Sequence, residues 1–108
     1  MVGQRFQLVF SRNAKRRLQA IFEFEKLAFN TKKAQSVFDK IDTAANSLVR
    51  LPASCPIYLK VEGEVTYRYI KGHDYKVIFQ IFEQSLEVLI VTIRHDAEDP
   101  ESIMQDLM

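Results

Sequence analysis

Two apolar runs near the end of the chain, Tyr75–Phe82 and Leu86–Arg94, are separated only by the polar tripeptide Glu83-Gln84-Ser85. Short runs rich in Val, Ile and Phe on either side of a polar link read as the two strands of a β-hairpin. The second run places Leu86, Val88, Leu89, Ile90, Val91 and Ile93 on both of its faces. A strand that is apolar on both sides needs cover on both sides, so it belongs inside a sheet. It ends in Arg94-His95 and an acidic stretch closed by Asp99-Pro100. The hairpin therefore delivers ionisable groups to one end of that sheet.

The segments upstream supply the cover. Arg5 to Phe10 reads as a first strand, with Phe6, Leu8 and Phe10 on one side. Ser11 is a suitable helix N-cap, because its hydroxyl can accept a free first-turn N–H. From Arg12 to about Ala28, the residues Ala14, Leu18, Ile21, Phe22, Phe24, Leu27 and Ala28 recur at helical spacing. Lys15, Arg16, Gln19, Glu23 and Lys26 take the wet side. Asn30-Thr31 interrupts and re-caps, and a second helix is expected from about Lys32 to Leu51. Its seam is Ala34, Val37, Phe38, Ile41, Ala44, Ala45 and Leu48. So short a connection makes the two helices an antiparallel hairpin, and Pro52 ends the second.

Beyond Pro52 the chain is punctuated by Pro56 and Gly63, with Ile57 to Val61 as a short edge strand. Glu64 to Ile70 alternates Val65, Tyr67 and Tyr69 against Thr66 and Arg68, and Lys71-Gly72-His73-Asp74 is a turn into the final hairpin. Asp99-Pro100 pairs an N-cap with proline at the first helical position, which predicts a short C-terminal helix reaching Met108. The order β-α-α-β-β-β with that terminal helix predicts an α+β fold. The helical hairpin packs on one face of a mainly antiparallel sheet, and the other face stays partly open as the place for function.

Residues 1–108 fit one domain, long enough to bury roughly two-thirds of the unfolded surface without a metal or disulfide. Hydrophobic residues at 47% and charged residues at 27% describe a globular chain and exclude disorder. No apolar stretch approaches the ~20 residues of a membrane span. The opening residues lack the pattern of a signal peptide, and Cys55 stands alone. A reduced cytoplasmic protein is expected, with no cofactor. No metal site is expected either, since His73 and His95 are the only histidines and lack ligand spacing. The net charge of +1 argues against a strongly electrostatic nucleic-acid binder, yet it averages two extremes. Arg5, Arg12, Lys15, Arg16 and Arg17 form a run without an acid, whereas Asp96, Glu98, Asp99, Glu101 and Asp106 form one without a base.

The order and the residues together resemble the RelE/ParE superfamily of bacterial toxins over nearly the whole chain. Phe10-Ser11-Arg12-Asn13-Ala14-Lys15-Arg16-Arg17-Leu18 is similar to the family's strand and helix start. Leu48-x-x-Leu51-Pro52 resembles the end of its second helix. Tyr67-Arg68 and Tyr75-Lys76-Val77-Ile78-Phe79 resemble its paired Tyr-Arg strands, and Ile93-x-His95-x-Ala97-x-Asp99 resembles the ending of its ParE side. The resemblance implies the toxin of a type II toxin–antitoxin module, a growth inhibitor of the kind also described as a plasmid stabilisation protein. A cognate antitoxin would neutralise it, in a toxin–antitoxin heterotetramer or alongside a toxin homodimer. The antitoxin would lay an amphipathic segment against apolar surface near Phe22, Phe24 and Phe29.

Two targets follow from the two branches. A ParE-like toxin blocks DNA gyrase and is no nuclease, whereas a RelE-like toxin cuts mRNA on the ribosome, for which Arg68, Lys76 and His95 are the candidate catalytic residues. Lys15, Arg16, Arg68, Lys76 and Arg94 are the candidate contacts to a target or nucleic acid. Lys76 stands where RelE-type members carry an arginine, and it keeps the charge without the bidentate fork. Asp96, Ala97 and Glu98 stand where many members carry a further arginine, which favours the ParE side. A third reading is an inactive member that retains only antitoxin binding. Each candidate has a plainer role: Lys15 and Arg16 on a solvated helix face, Arg94 in an ion pair with Glu98 or Asp99, His95 bonded to Asp96 or Asp99. Whether Arg68 and Lys76 share a face depends on the register set by the turn at Lys71–Asp74.

Overall fold

The computed structural model describes residues 5–61, 63 and 65–106. Strand β1 (Gln7–Phe10) leads into helices α1 (Arg12–Ala28) and α2 (Thr31–Asn46). Strands β2 (Ile57–Val61), β3 (Val65–Gly72), β4 (Tyr75–Phe82) and β5 (Glu87–His95) follow, and a short helix α3 (Ile103–Asp106) ends the chain. The sheet order is β1-β5-β4-β3-β2, antiparallel except where β1 runs parallel to β5. The fold is the expected α+β arrangement of a helical hairpin on a mainly antiparallel sheet.

Both helix starts are capped as their sequences suggest. The Ser11 hydroxyl accepts from Ala14 N at 3.0 Å, and Asn30 Oδ1 accepts from Lys33 N at 2.8 Å. Ser11 also donates to the Val91 carbonyl at 2.8 Å. That carbonyl belongs to an extra residue in β5, since Ile78 pairs with Thr92 while Phe79 pairs with Ile90. One serine thus caps α1 and fixes a β-bulge in β5, an interior strand, which is how α1 is aimed across the sheet.

The main core lies between helices and sheet. Ala14, Val37, Ile41, Ala45 and Leu48 meet Tyr75, Val77, Phe79, Val88, Ile90 and Ile93. Gly72 lets α2 press on the sheet: a Cβ there would lie 2.8 Å from Ile41 Cα and 2.9 Å from the Lys40 carbonyl oxygen. The second face carries a smaller cluster of Tyr67, Ile78, Val91 and Ile103, flanked by Tyr58, Val65, Tyr69 and Leu89.

Several boundaries differ from expectation. The second helix ends at Asn46 rather than Leu51, and tightens into a 3-10 turn over Ser47–Val49. Asn46 and Ser47 turn their side chains back onto the Asp42 and Ala44 carbonyls, offering the backbone an alternative to the helix. Leu51 then adopts a left-handed φ of 49° ahead of Pro52. The first strand begins at Gln7, not Arg5. Strand β3 runs through Lys71 and Gly72, which shortens the turn to His73 and Asp74, with His73 at a φ of 57°. The C-terminal segment starts as a 3-10 turn over Pro100–Ser102 before α3. Glu64, Leu107 and Met108, named in the expected elements, lie outside the described residues. The face expected to stay partly open is covered in part by Ile103 of that segment, which is buried on it. Among the described residues, no helix is long and apolar enough to cross a membrane.

Candidate functional site

Register decides which side chains can act together. Arg68 pairs with Phe79 and Lys71 pairs with Lys76, in an unbroken ladder. Phe79 belongs to the helix-side core, so Arg68 points to the helix side and Lys76 to the opposite face. The Arg68 guanidinium donates to the Cys55 carbonyl at 2.7 Å. Burial raises the neighbouring Cys55 thiol, against the opposing pull of Arg68. His95 pairs with Tyr75, another helix-side residue, and their rings meet edge to face at 5.6 Å. Its Nδ1 accepts from Ala97 N at 3.1 Å, in place of the expected carboxylate partner. The three residues proposed for acid–base and phosphate work are thus split between two faces of the sheet, with Arg68 three rungs from the end that holds Lys76 and His95.

The end of the β4–β5 hairpin instead holds an ionic network. Arg94, 2% exposed, donates to the Tyr58 hydroxyl, the Asp99 carbonyl and the Ser102 hydroxyl, and lies 3.0 Å from Glu98 Oε2. The expected ion pair with Glu98 is present, while Asp99 contributes its carbonyl to Arg94. Arg17 reaches the same group from α1: its Nε donates to the Ile93 carbonyl, and its terminal nitrogen lies 2.9 Å from Glu98 Oε1. Burial works to raise the Glu98 carboxyl, but the His95 N–H and the Arg17 guanidinium outweigh it and hold it below the usual range. Arg17 had no motif of its own beyond the basic run, and only the packing of α1 on β5 gives it this place.

On the second face, Lys71 and Lys76 converge on Asp96. Lys71 Nζ lies 2.8 Å from Oδ2 and Lys76 Nζ lies 2.8 Å from Oδ1. The hydrogen bond from Lys71, then that from Lys76, hold the Asp96 carboxyl down at about 2. The Lys76 ammonium rests 5.1 Å from the Tyr69 ring centroid and 5.8 Å from that of Tyr58, so each tyrosine packs the sheet and also shields a cation.

The helical hairpin carries the apolar surface. Phe24, Leu27 and Phe29 are 60%, 85% and 62% exposed, so Phe24 and Leu27 do not take the core positions their spacing suggested. The α1 seam runs instead through Ala14, Leu18, Ile21 and Glu25. Glu25 is buried because the Tyr75 hydroxyl donates to it at 3.0 Å, a partner invisible to helical periodicity. Phe22 meets Phe38 edge to face at 6.4 Å, beside a groove of about 480 Å³ that Lys15 and Leu18 also line. Arg16 is exposed on the same helix. A wider groove of about 950 Å³ runs between α2 and the β3–β4 turn. Among the described residues, no three His, Cys, Asp or Glu side chains converge as a metal-binding group.

Comparison with known proteins agrees with this architecture. The family model described as the ParE toxin of type II toxin–antitoxin system, parDE, matches residues 8–100. No curated protein matches the chain in sequence. The fold is similar to that of a chain in the chromosomal ParDE system from P. aeruginosa, with a TM-score of 0.71 at 18% identity, over 84% of this chain and 96% of that one. A chain of the RelBE2 toxin–antitoxin complex from Mycobacterium tuberculosis gives 0.62 at 16% identity, over 84% and 98%. One from the archaeal RelE–RelB complex of Pyrococcus horikoshii OT3 gives 0.61 at 11% identity, over 89% and 100%.

Proposed function

Because the chain belongs to the ParE toxin family of type II toxin–antitoxin systems, we propose that it inhibits growth in the cytoplasm by binding DNA gyrase, and that it does so without cutting nucleic acid. The observation that carries the second half is the dispersal of Arg68, Lys76 and His95. Cleavage of a phosphodiester needs an acid–base pair and a cationic clamp within reach of one phosphate. Here Arg68 is committed to a carbonyl on the helix side, while Lys76 is committed to Asp96 on the other face. The gyrase assignment rests on the family match.

The cognate antitoxin is the second partner. Apolar side chains as exposed as Phe24, Leu27 and Phe29 on one helical hairpin suit an amphipathic segment that buries them. Arg12, Lys15 and Arg16, at the start of the same helix, favour an acidic character in a segment that extends along it.

Induced expression without antitoxin, with DNA and protein synthesis pulse-labelled over the first minutes, tests the target. DNA synthesis falls first if the proposal holds. An earlier fall in protein synthesis overturns it in favour of a ribosome-directed nuclease, and unimpaired growth overturns it in favour of an inactive antitoxin-binding relative.

A further inference from the structure

Strand β2 covers only the first half of β3. Val61 pairs with Val65 and Ile57 with Arg68, and the Pro56 carbonyl then accepts from Tyr69 N at 3.1 Å. Proline has no N–H to return, so the Tyr69 carbonyl receives nothing from that partner. In an antiparallel ladder the N–H and C=O of one residue point to the same side, and the side alternates along the strand. Because Tyr69 N points away from β4, the N–H and C=O of Lys71 do so too. Upstream of Pro56 the chain leaves the sheet through the 3-10 turn Pro52–Ser54, so Ile70, Lys71 and Gly72 pair with β4 alone among the described residues. This short open edge floors the wider groove beside α2, of about 950 Å³. The groove follows the helix from Thr31 to Ser47, about 24 Å at 1.5 Å per residue. That length suits about seven residues of extended chain better than a compact molecule. Lys32 and Lys40 line it, both exposed and without a carboxylate partner among the described residues. The acid of the groove, Asp39, is engaged by Gln35 at 2.8 Å.

We propose that this edge and groove receive an acidic, extended segment of a partner protein, which adds to β3 as a short strand collinear with β2. One residue of the segment exchanges both backbone bonds with Lys71. Its side chain shares the face of the Lys71 side chain, so the residues on either side of it point towards α2. There Lys32 and Lys40 select carboxylates, whose methylene stems lie over Ile70. Charge chooses the partner and the backbone edge fixes its register. The surface is distinct from the apolar ridge of Phe24, Leu27 and Phe29, and it does not depend on the gyrase reading.

The probe is an acetylated heptapeptide of alternating glutamate and valine, titrated into the full chain and followed by amide NMR. Binding shifts the Lys71 amide and slows its exchange with solvent. Methylating the backbone nitrogens of the valines removes the donor to the Lys71 carbonyl and weakens binding at least about tenfold. Methylating those of the glutamates, which point away from β3, changes little. Lys40→Glu reverses one charge of the groove and weakens binding about tenfold, whereas Lys26→Glu, on α1, leaves it unchanged. Both lysines are exposed, so neither substitution threatens the fold. The proposal is overturned if the valine-methylated peptide binds as tightly as its parent, or if a lysine–valine peptide of the same pattern binds as well. It is equally overturned if Lys26→Glu weakens binding as much as Lys40→Glu, or if the peptide moves the Phe24 and Leu27 amides and leaves Lys71 still. Slower exchange at Lys71 on raising the protein concentration alone assigns the edge to a second copy of the chain and overturns the acidic partner.

Discussion

The Tyr75 hydroxyl donates to Glu25 Oε2 at 3.0 Å inside the α1–sheet interface, with both side chains buried. Burial first, and the Glu25 hydrogen bond second, push the Tyr75 phenol up to about 12. The unfolded chain ionises this phenol near 10, so between about 10 and 12 the folded state binds more protons than the unfolded state. Stability is fully present below that window and falls as pH rises through it. Thermal midpoints between pH 9 and 12 show this decline in the wild type and a shallower one in Tyr75→Phe. At neutral pH the same substitution costs about 1–3 kcal/mol, because Glu25 stays buried without its donor. A Tyr75→Phe variant as stable as the wild type would show that Glu25 finds another partner.

Asp96 gives a pH effect at the other end of the scale. Its carboxyl is held at about 2 by the hydrogen bonds from Lys71 and Lys76, against about 3.9 in an unfolded chain. A depressed carboxylate stabilises the fold above its unfolded value, and that contribution disappears as pH falls from about 4 towards 2. Acid titration followed by circular dichroism shows an added loss of stability across this window in the wild type. Asp96→Asn lacks that component, and identical acid profiles for the two would mean that the lysine bridge adds nothing in solution.

How much of this could be read beforehand differs by element. The hairpin of β4 and β5 lies within a residue of its expected bounds, because long apolar runs around a polar link admit few alternatives. The starts of the two helices were equally legible through Ser11 and Asn30, but not the end of the second, at Asn46 rather than Leu51. The facing of α1 was not: Leu18, Ile21, Phe22, Phe24 and Leu27 surround much of the helix, and the choice of seam depends on Tyr75, distant in sequence, which recruits Glu25 into the interface. The split of Arg68 from Lys76 was hidden for a similar reason. It turns on whether Lys71 and Gly72 belong to the turn or to β3, and the contact of Gly72 with α2 decides that. The parallel pairing of β1 with β5 and the capture of Asp96 by two lysines are tertiary facts with no local signal.

Arg94 clamps the C-terminal segment through Asp99, Ser102 and Glu98. Replacing it with methionine removes one partner of a buried ion pair and should cost about 3 kcal/mol. Hydrogen exchange locates the damage. Amides of residues 99–106 exchange faster in Arg94→Met while those of Ile41 and Val77 slow or speed only with global stability. Uniform acceleration throughout the chain would show that the segment is not a separate unit.

Gly72 offers a test of the α2–sheet contact. The Cβ of an alanine there would press on the Ile41 and Lys40 backbone at under 3 Å, atoms that cannot rotate away. Gly72→Ala should destabilise by about 1–3 kcal/mol, the range of overpacked sites. Gly63 is the control: it has a positive φ, of 76°, where Gly72 has none, and nothing lies within 4 Å of a Cβ placed there. Gly63→Ala therefore costs only backbone strain, about 1–2 kcal/mol, with no shift of α2. Chemical shifts of Lys40 and Ile41 that move in Gly72→Ala but not in Gly63→Ala identify packing as the cause.

Leu27 and Phe24 separate binding from folding. Both side chains are largely exposed, so Leu27→Asp and Phe24→Asp should leave the thermal midpoint nearly unchanged, within about 0.5 kcal/mol of stability. If the cognate antitoxin covers this helix, an introduced carboxylate is buried in the complex and costs at least about 2 kcal/mol of binding, some thirtyfold in affinity. Lys26, beside Leu27 in sequence, supplies the comparison, since a rim charge exchanged for glutamine alters association rate more than the lifetime of the complex. The three variants passed over surface-captured antitoxin give all of these quantities. Wild-type affinity in both Leu27→Asp and Phe24→Asp would place the antitoxin elsewhere on the toxin and leave this apolar surface to the target.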